Sequence, residues 1–310
     1  MELNNVKLDW NGILDKQINK LEEKYPENNI RQAYSQIISL LNENKIKSRV
    51  IANGKSVICY SFMINYSGFI DRLYAVLGFE DESYVDAARA ENLLTWIESE
   101  ARKEDKSVVI GDIYNGTETI SNLLGEHGFF KMERIRLELG LKDYFPAHAE
   151  NFSHEFNGIF SVTPALYSDA QFDAYSGEDD VILFPSTRNE RISSTARILE
   201  GEIGKLIPEA SFVLKEGEKI IAGIISVETE NKNGSSRRAL IADIFVDKNN
   251  RKKGLGKEIL CKSLDKLKEM KFDSVILWVS SNNPARFLYF NLGFRETGYG
   301  REISYFQIKK

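Results

Sequence analysis

Residues 249–258 read Asn-Asn-Arg-Lys-Lys-Gly-Leu-Gly-Lys-Glu, with Gly254 and Gly256 one residue apart among four basic side chains, Arg251, Lys252, Lys253 and Lys257. An apolar run, 239–246, lies upstream, and downstream Leu255, Ile259, Leu260, Leu264 and Leu267 recur at helical spacing. A loop between a buried strand and a helix presents its own backbone N–H groups, and those of the first helical turn, to an anion. Glycine lets the backbone come close with no Cβ in the way. Phosphate or pyrophosphate suits such a loop. Two familiar phosphate loops do not fit. A Walker A loop needs Gly where Arg251 stands and Ser or Thr where Glu258 stands. A dinucleotide fingerprint needs Gly at Ile259.

Two more groups carry chemistry. Asp243 is the carboxylate inside the run 239–246. Within an apolar strand it is costly unless paired or used, so it is a candidate base and equally a candidate hydrogen-bond acceptor for a neighbour. Glu228, on the neighbouring strand, is a weaker candidate. Tyr289 is a phenol, which at its ordinary pKa of ~10 holds its proton at pH 7. Among the other reactive residues, His127, His148 and His154 show no ligand spacing, and Cys59 and Cys261 sit far apart in apolar runs. No metal site and no disulfide framework are expected.

These groups need elements to hold them. Residues 211–214 and 220–227 are β-rich and separated by a turn, and 239–246 reads as a central strand covered on both faces. A helix follows the glycine loop, then a strand over 275–279. Asn282-Asn283-Pro284 reads as a helix start with a capping Asn, the helix ending near Gly293. A last strand is predicted near 303–308. Helices are predicted upstream, over 165–175 and 193–206. The first half repeats this order. Ser107-Val108-Val109-Ile110 matches Ser274-Val275-Ile276-Leu277, Gly128-Phe129 matches Gly293-Phe294, and Arg136-Leu137-Glu138-Leu139 stands where the last strand would be. Duplication accounts for both the length and the order.

The motif Arg251-x-x-Gly254-x-Gly256, followed by Asn282-x-x-Ala285-x-x-Leu288-Tyr289-x-x-Leu292-Gly293-Phe294 in this element order, resembles the GNAT acyltransferase family. The resemblance covers roughly 160–310 and is densest over 243–294. It implies that the anion is the pyrophosphate of acetyl-CoA or another acyl-CoA, the acyl-donor substrate. In such enzymes two neighbouring parallel strands part, and the pantetheine arm lies in the gap. The stretch Ile244, Phe245 and Val246 would bind that arm through backbone groups, as a short strand would. Arg251, Lys252, Lys253, Gly254, Leu255, Gly256 and Lys257 would hold the pyrophosphate. Asn282 would cap a helix or touch CoA. Tyr289 resembles the tyrosine that protonates the departing thiolate. The base is open between Asp243, acting directly or through water, and Glu228.

The expected fold class is α/β (α+β layered), two tandem GNAT-like domains, each a mixed, mostly antiparallel sheet flanked by helices. The expected domains are 1–145, a degenerate copy, and 158–310, the acyl-CoA-binding and catalytic copy. The first half has no R-x-x-G-x-G. Glu80, Asp81, Glu82 and Asp86 stand where phosphates would dock, and Leu124 matches Tyr289. The expected activity is transfer of an acetyl group to a primary amine on a small molecule or peptide. The rivals are a non-catalytic acyl-CoA-binding or regulatory module, and a protein acetyltransferase that docks its target through the first half. A net charge of -5 argues against a nucleic-acid partner. No apolar run reaches the ~18 residues of a membrane span, and no signal-peptide pattern opens the chain, so the expectation is cytoplasmic with no membrane partner.

Overall fold

The computed structural model describes residues 8–24, 29–65, 71–111, 113–116, 118–145, 154–229 and 236–306. The chain forms two compact units, Met1–Arg134 with Tyr299–Lys310, and Ile135–Gly298. The first unit begins with helices α1 (Trp10–Lys24) and α2 (Ile30–Asn42). Strands β1 (Lys47–Asn53), β2 (Ser56–Asn65) and β3 (Arg72–Phe79) follow as an antiparallel series. Helix α3 (Ala87–Glu104) leads to β4 (Ser107–Ile110), which runs parallel to β3, and then to α4 (Glu118–Glu126). Alternation along β2 and β3 sends side chains to two cores. Trp10, Leu14, Ile18 and Leu41 pack on Tyr60, Phe62 and Val76. On the other face Leu93, Leu94, Ile97 and Leu124 pack on Leu73, Ala75, Leu77 and Phe79.

Strand β5 (Phe130–Gly140) closes the first half, and Leu137 and Leu139 lie in the core of the second unit. Next come β6 (Phe156–Gly158), α5 (Pro164–Tyr175), α6 (Arg188–Leu199) and β7 (Lys205–Leu206). Strands β8 (Phe212–Glu216), β9 (Lys219–Thr229) and β10 (Arg238–Val246) form an antiparallel series, with β6 on β8 and β7 on β9. Helix α7 (Leu255–Glu269), β11 (Ser274–Ser280) parallel to β10, helix α8 (Ala285–Asn291) and β12 (Arg295–Phe306) complete the order. Leu255, Ile259, Leu260, Leu264 and Leu267 are buried, as their spacing predicts. Each unit is a mixed, mostly antiparallel sheet flanked by helices, the predicted class.

Two elements differ from expectation. Helix α6 starts earlier, because Thr187 caps it and shares a reciprocal contact with Glu190, and it ends at Leu199, where Gly201 and Gly204 take positive φ. Strand β12 starts at Arg295. Its end belongs to the first unit, where Ser304, Tyr305 and Phe306 pair with Ile110, Val109 and Val108 of β4. The compact units therefore do not coincide with halves drawn as 1–145 and 158–310. The proposal of a duplicated chain survives in the registers: β3 meets β4 with Arg72 opposite Ser107, and β10 meets β11 with Arg238 opposite Ser274.

In the first unit, His127 joins Glu98 (2.5 Å) and Glu91 (2.8 Å) of α3. Burial opposes its charge, but the hydrogen bonds to Glu91 and Glu98 outweigh it and hold the pKa above 6.5. A raised histidine pKa stabilises the fold below the unfolded value and ceases to as pH rises through the folded one. Thermal unfolding should therefore show His127→Gln less stable than wild type at pH 6, with the gap closing by about pH 9. A gap that is constant with pH would remove the ionic role.

Candidate active site

Strands β10 and β11 pair at Arg238↔Ser274, Ala239↔Val275 and Leu240↔Ile276, and no further, although β10 continues to Val246 and β11 to Ser280. Two neighbouring parallel strands thus part midway. Just beyond that point β10 also slips against β9, from Ile241↔Ser226 to Asp243↔Ile225, leaving Ala242 as an extra residue. Such a bulge reverses the alternation of side chains. Ala239 and Ile241 face the α7 side before it, and Ile244 and Val246 do so after it. Asp243 is thereby turned to the opposite face, towards α5.

Helix α5 is fixed by Thr163, whose hydroxyl accepts from Leu166 N–H, and by Pro164 at its first position. It carries Tyr167, which is fully buried. The Tyr167 hydroxyl donates to Asp243 Oδ2 at 2.6 Å. Gly223 makes room for it, since a Cβ there would stand 2.7 Å from the tyrosine ring and 2.6 Å from Phe245. Burial raises the Asp243 pKa, against hydrogen bonds from Tyr167, Gln171 and the Ile244 backbone N–H. Glu228 is paired to Arg237 at 2.9 Å, and that hydrogen bond lowers its pKa.

The glycine loop takes its shape from Asp247, which accepts from Asn249 N–H, Asn250 Nδ2 and Lys219 Nζ. Gly254 has φ +89° and caps α7, a conformation that side chains resist. Among the described residues, no acceptor meets the backbone N–H groups of 252–257. Lys252, Lys253 and Lys257 are exposed, with Lys253 on Asn250 Oδ1 at 2.8 Å. A Cβ on Gly256 would lie 3.6 Å from both Val246 and Leu288, so loop, β10 and α8 converge there. Tyr289 is buried, edge-on to Phe294, in one core cluster with Leu255 and with Ile244 and Val246 at its margin. The structure thus brings Gly256, Val246 and Leu288 together, with Leu255, Ile244 and Tyr289 in or at the margin of the same core.

Arg251 faces elsewhere. Its guanidinium donates to Val246 O (3.2 Å) and Ala174 O (2.7 Å) and pairs with Glu178. Asn282 donates to Asp179 at 3.0 Å, and the residue capping α8 is Asn283, whose Oδ1 accepts from Ala285 N–H at 2.9 Å. Asp180, buried, accepts from Asn283 Nδ2 at 2.7 Å and from Ser280 Oγ. Tyr175 donates to Ile244 O at 2.9 Å. Sequence reasoning missed Tyr167, Gln171, Tyr175 and the carboxylates at 178–180. The only local signal was three consecutive acids after Gly177, whose partners lie between 73 and 103 residues away.

The corresponding place in the first unit is closed. From Leu73 to Phe79 the β3 register against β2 is unbroken, with no bulge. Counting from Arg72 and Arg238, and allowing for the extra Ala242, Leu77 matches Ile244 and Phe79 matches Val246. Tyr114 N–H donates to Leu77 O and Phe79 N–H donates to Tyr114 O, both at 3.1 Å. The chain itself fills the gap.

Residues 182–294 match the Acetyltransferase (GNAT) family. Among solved structures, the chain is similar to a functionally unknown conserved protein from Staphylococcus epidermidis (10% identity, 85% of this chain and 96% of that one, TM-score 0.55). It is also similar to a GCN5-related glucosamine N-acetyltransferase region of a fungal multi-domain GH3 β-N-acetylglucosaminidase (12% identity, 94% and 37%, TM-score 0.52). A tandem GNAT protein from the clavulanic acid biosynthesis pathway matches at 15% identity over 84% and 82%, with TM-score 0.43. At such identities the likeness concerns the fold. No curated protein matches the chain. No helix among the described residues is long and apolar enough to cross a membrane.

Proposed function

We propose, for a chain whose residues 182–294 match the acetyltransferase (GNAT) family, that its second unit moves an acetyl group from acetyl-CoA directly to a primary amine on a small molecule or peptide. The observation that carries this reading is the parting of β10 and β11 beyond Leu240 and Ile276, beside the glycine loop. The gap exposes strand-edge groups of β10 to the pantetheine arm. The N–H groups of 252–257 and the positive end of α7 suit the pyrophosphate. Arg251 supports the loop from below through its three partners, so the loop backbone, Lys252, Lys253 and Lys257 are the proposed phosphate contacts.

An alkyl ammonium of pKa ~10.4 is only about one part in 2,500 neutral at pH 7, so the acceptor must lose a proton before attack. Asp243, its pKa raised by burial, is the proposed base, acting directly or through water. Attack of the amine nitrogen on the thioester carbonyl breaks the C–S bond. Tyr289 gives its proton to the CoA sulfur as the tetrahedral adduct collapses and is restored by the proton that leaves the attacking nitrogen, while the backbone N–H near Val246 steadies the oxyanion. Among the described residues no cluster of carboxylates, histidines and cysteines is placed to hold a metal, and the proposed steps use none.

Calorimetric titration with acetyl-CoA should give one site per chain, because Tyr114 closes the matching gap in the first unit. Two equivalent sites would overturn that. Mass-spectrometric screening of an amine panel with acetyl-CoA tests turnover. Binding with no acetylated product from any amine or peptide would leave an acyl-CoA-binding module.

A further inference from the structure

We infer that residues 174–180 form a latch across the parted strands, and that the Tyr175 hydroxyl competes directly with the pantetheine arm for the carbonyl of Ile244; this rests on the acyl-CoA reading of the site. The latch holds both sides of the gap. On the β10 side, Tyr175 occupies Ile244 O, Ala174 O receives Arg251, Ser176 O receives Lys248 Nζ, and Glu178 pairs with Arg251. On the β11 side, Asp179 holds Asn282, and Asp180 holds Ser280 and Asn283. Nine residues lie between the first anchor, Ala174, and Phe184, whose ring packs tilted against that of Tyr175 with centroids 4.9 Å apart.

The first unit shows what occupation of this carbonyl means. There Leu77 O, the match of Ile244 O, is bonded to the backbone N–H of Tyr114. That plug is main chain: Tyr114, buried, bridges β3 at Gly78 through two backbone hydrogen bonds. In the second unit the same acceptor is met by a side-chain hydroxyl on a segment held by one partly exposed ion pair, Glu178 with Arg251, and by separate hydrogen bonds, of which those of Asp180 are the more buried. A carbonyl paired to one side-chain hydroxyl exchanges partners at little net cost, whereas one held in a two-bond backbone bridge does not. The second unit therefore keeps the gap satisfied while empty and yields it to the amide N–H of an arm. The first unit cannot yield.

Tyr175→Phe removes the competing hydroxyl and keeps the ring on Phe184. Calorimetry should show acetyl-CoA binding about 3- to 10-fold tighter than wild type, the worth of one ordinary hydrogen bond. Adenosine 5′-diphosphate, which carries the pyrophosphate without the arm, should bind both proteins equally in competition. Glu178→Gln, which loosens the latch at Arg251 and leaves Tyr175 intact, should also tighten acetyl-CoA binding. Unchanged or weaker acetyl-CoA binding in a folded Tyr175→Phe protein overturns the latch, as does an equal gain for the diphosphate. Gly256→Asp run alongside separates the two ideas. If it binds acetyl-CoA as wild type does, the loop reading fails; if it does not bind while Tyr175→Phe gains nothing, only the latch fails.

Discussion

Tyr289→Phe should lower kcat by about 10²-fold or more and leave acetyl-CoA affinity near wild type, with an acceptor identified by the amine screen. The ring is 5% exposed and edge-on to Phe294, so the phenylalanine fills the same space. Only the hydroxyl is lost. A donor that serves the thiolate as it departs acts in the transition state and hardly at all on bound acetyl-CoA. A tyrosine kept for packing would behave in the opposite way, with a lower unfolding temperature and an unchanged kcat. Steady-state kinetics beside calorimetry reads both. An unchanged kcat in well-folded Tyr289→Phe protein removes the acid assignment and leaves the acyl-CoA site standing, since that rests on β10 and the loop.

Gly256→Asp should weaken acetyl-CoA binding by about 10²-fold or more with the fold retained. A new carboxylate a few ångströms from pyrophosphate costs on the order of 1–4 kcal/mol per charge pair near a protein surface. The site itself accepts a Cβ, which would meet Val246 and Leu288 at an ordinary 3.6 Å. Gly254→Asp adds the same charge but stands at φ +89°, so about 1–2 kcal/mol of backbone strain accompanies it. Gly256 is therefore the cleaner position. Wild-type affinity in folded Gly256→Asp would show that the loop does not hold the pyrophosphate.

Much of this was legible from spacing alone. The glycine loop reads locally because both of its needs, positive φ at Gly254 and open N–H groups, are written in adjacent residues. The duplication reads from Ser107-Val108-Val109-Ile110 and Ser274-Val275-Ile276-Leu277, and the structure pairs both segments opposite an arginine. The bulge was harder to see. Its trace is one extra residue between apolar pairs, Ala239 and Ile241 before it, Ile244 and Val246 after it, which a strand covered on both faces conceals. The partners of Arg251 and Asn282 were not legible. Glu178 and Asp179 lie about 75 to 100 residues upstream, and only tertiary folding brings them to the loop. The charge of Arg251 was readable, but not the fact that a carboxylate already uses it.

The placement of the chain's last strand also sets an order in time. Residues 135–298 are contiguous, so everything the second unit requires is present once Gly298 has been synthesised. The first unit starts the chain but is completed last. Strand β4 gains its antiparallel neighbour only when 304–306 arrive, and Phe306 then seals the core against Phe129 at 5.0 Å. Until residues 304–306 have been made, the earlier-made part of the first unit carries an open strand edge and an exposed apolar face, the condition that invites mispairing. A stop codon after Gly298 would leave the second unit whole in sequence and the first permanently open at β4. Loss of solubility is the expected first cost of truncation at Gly298.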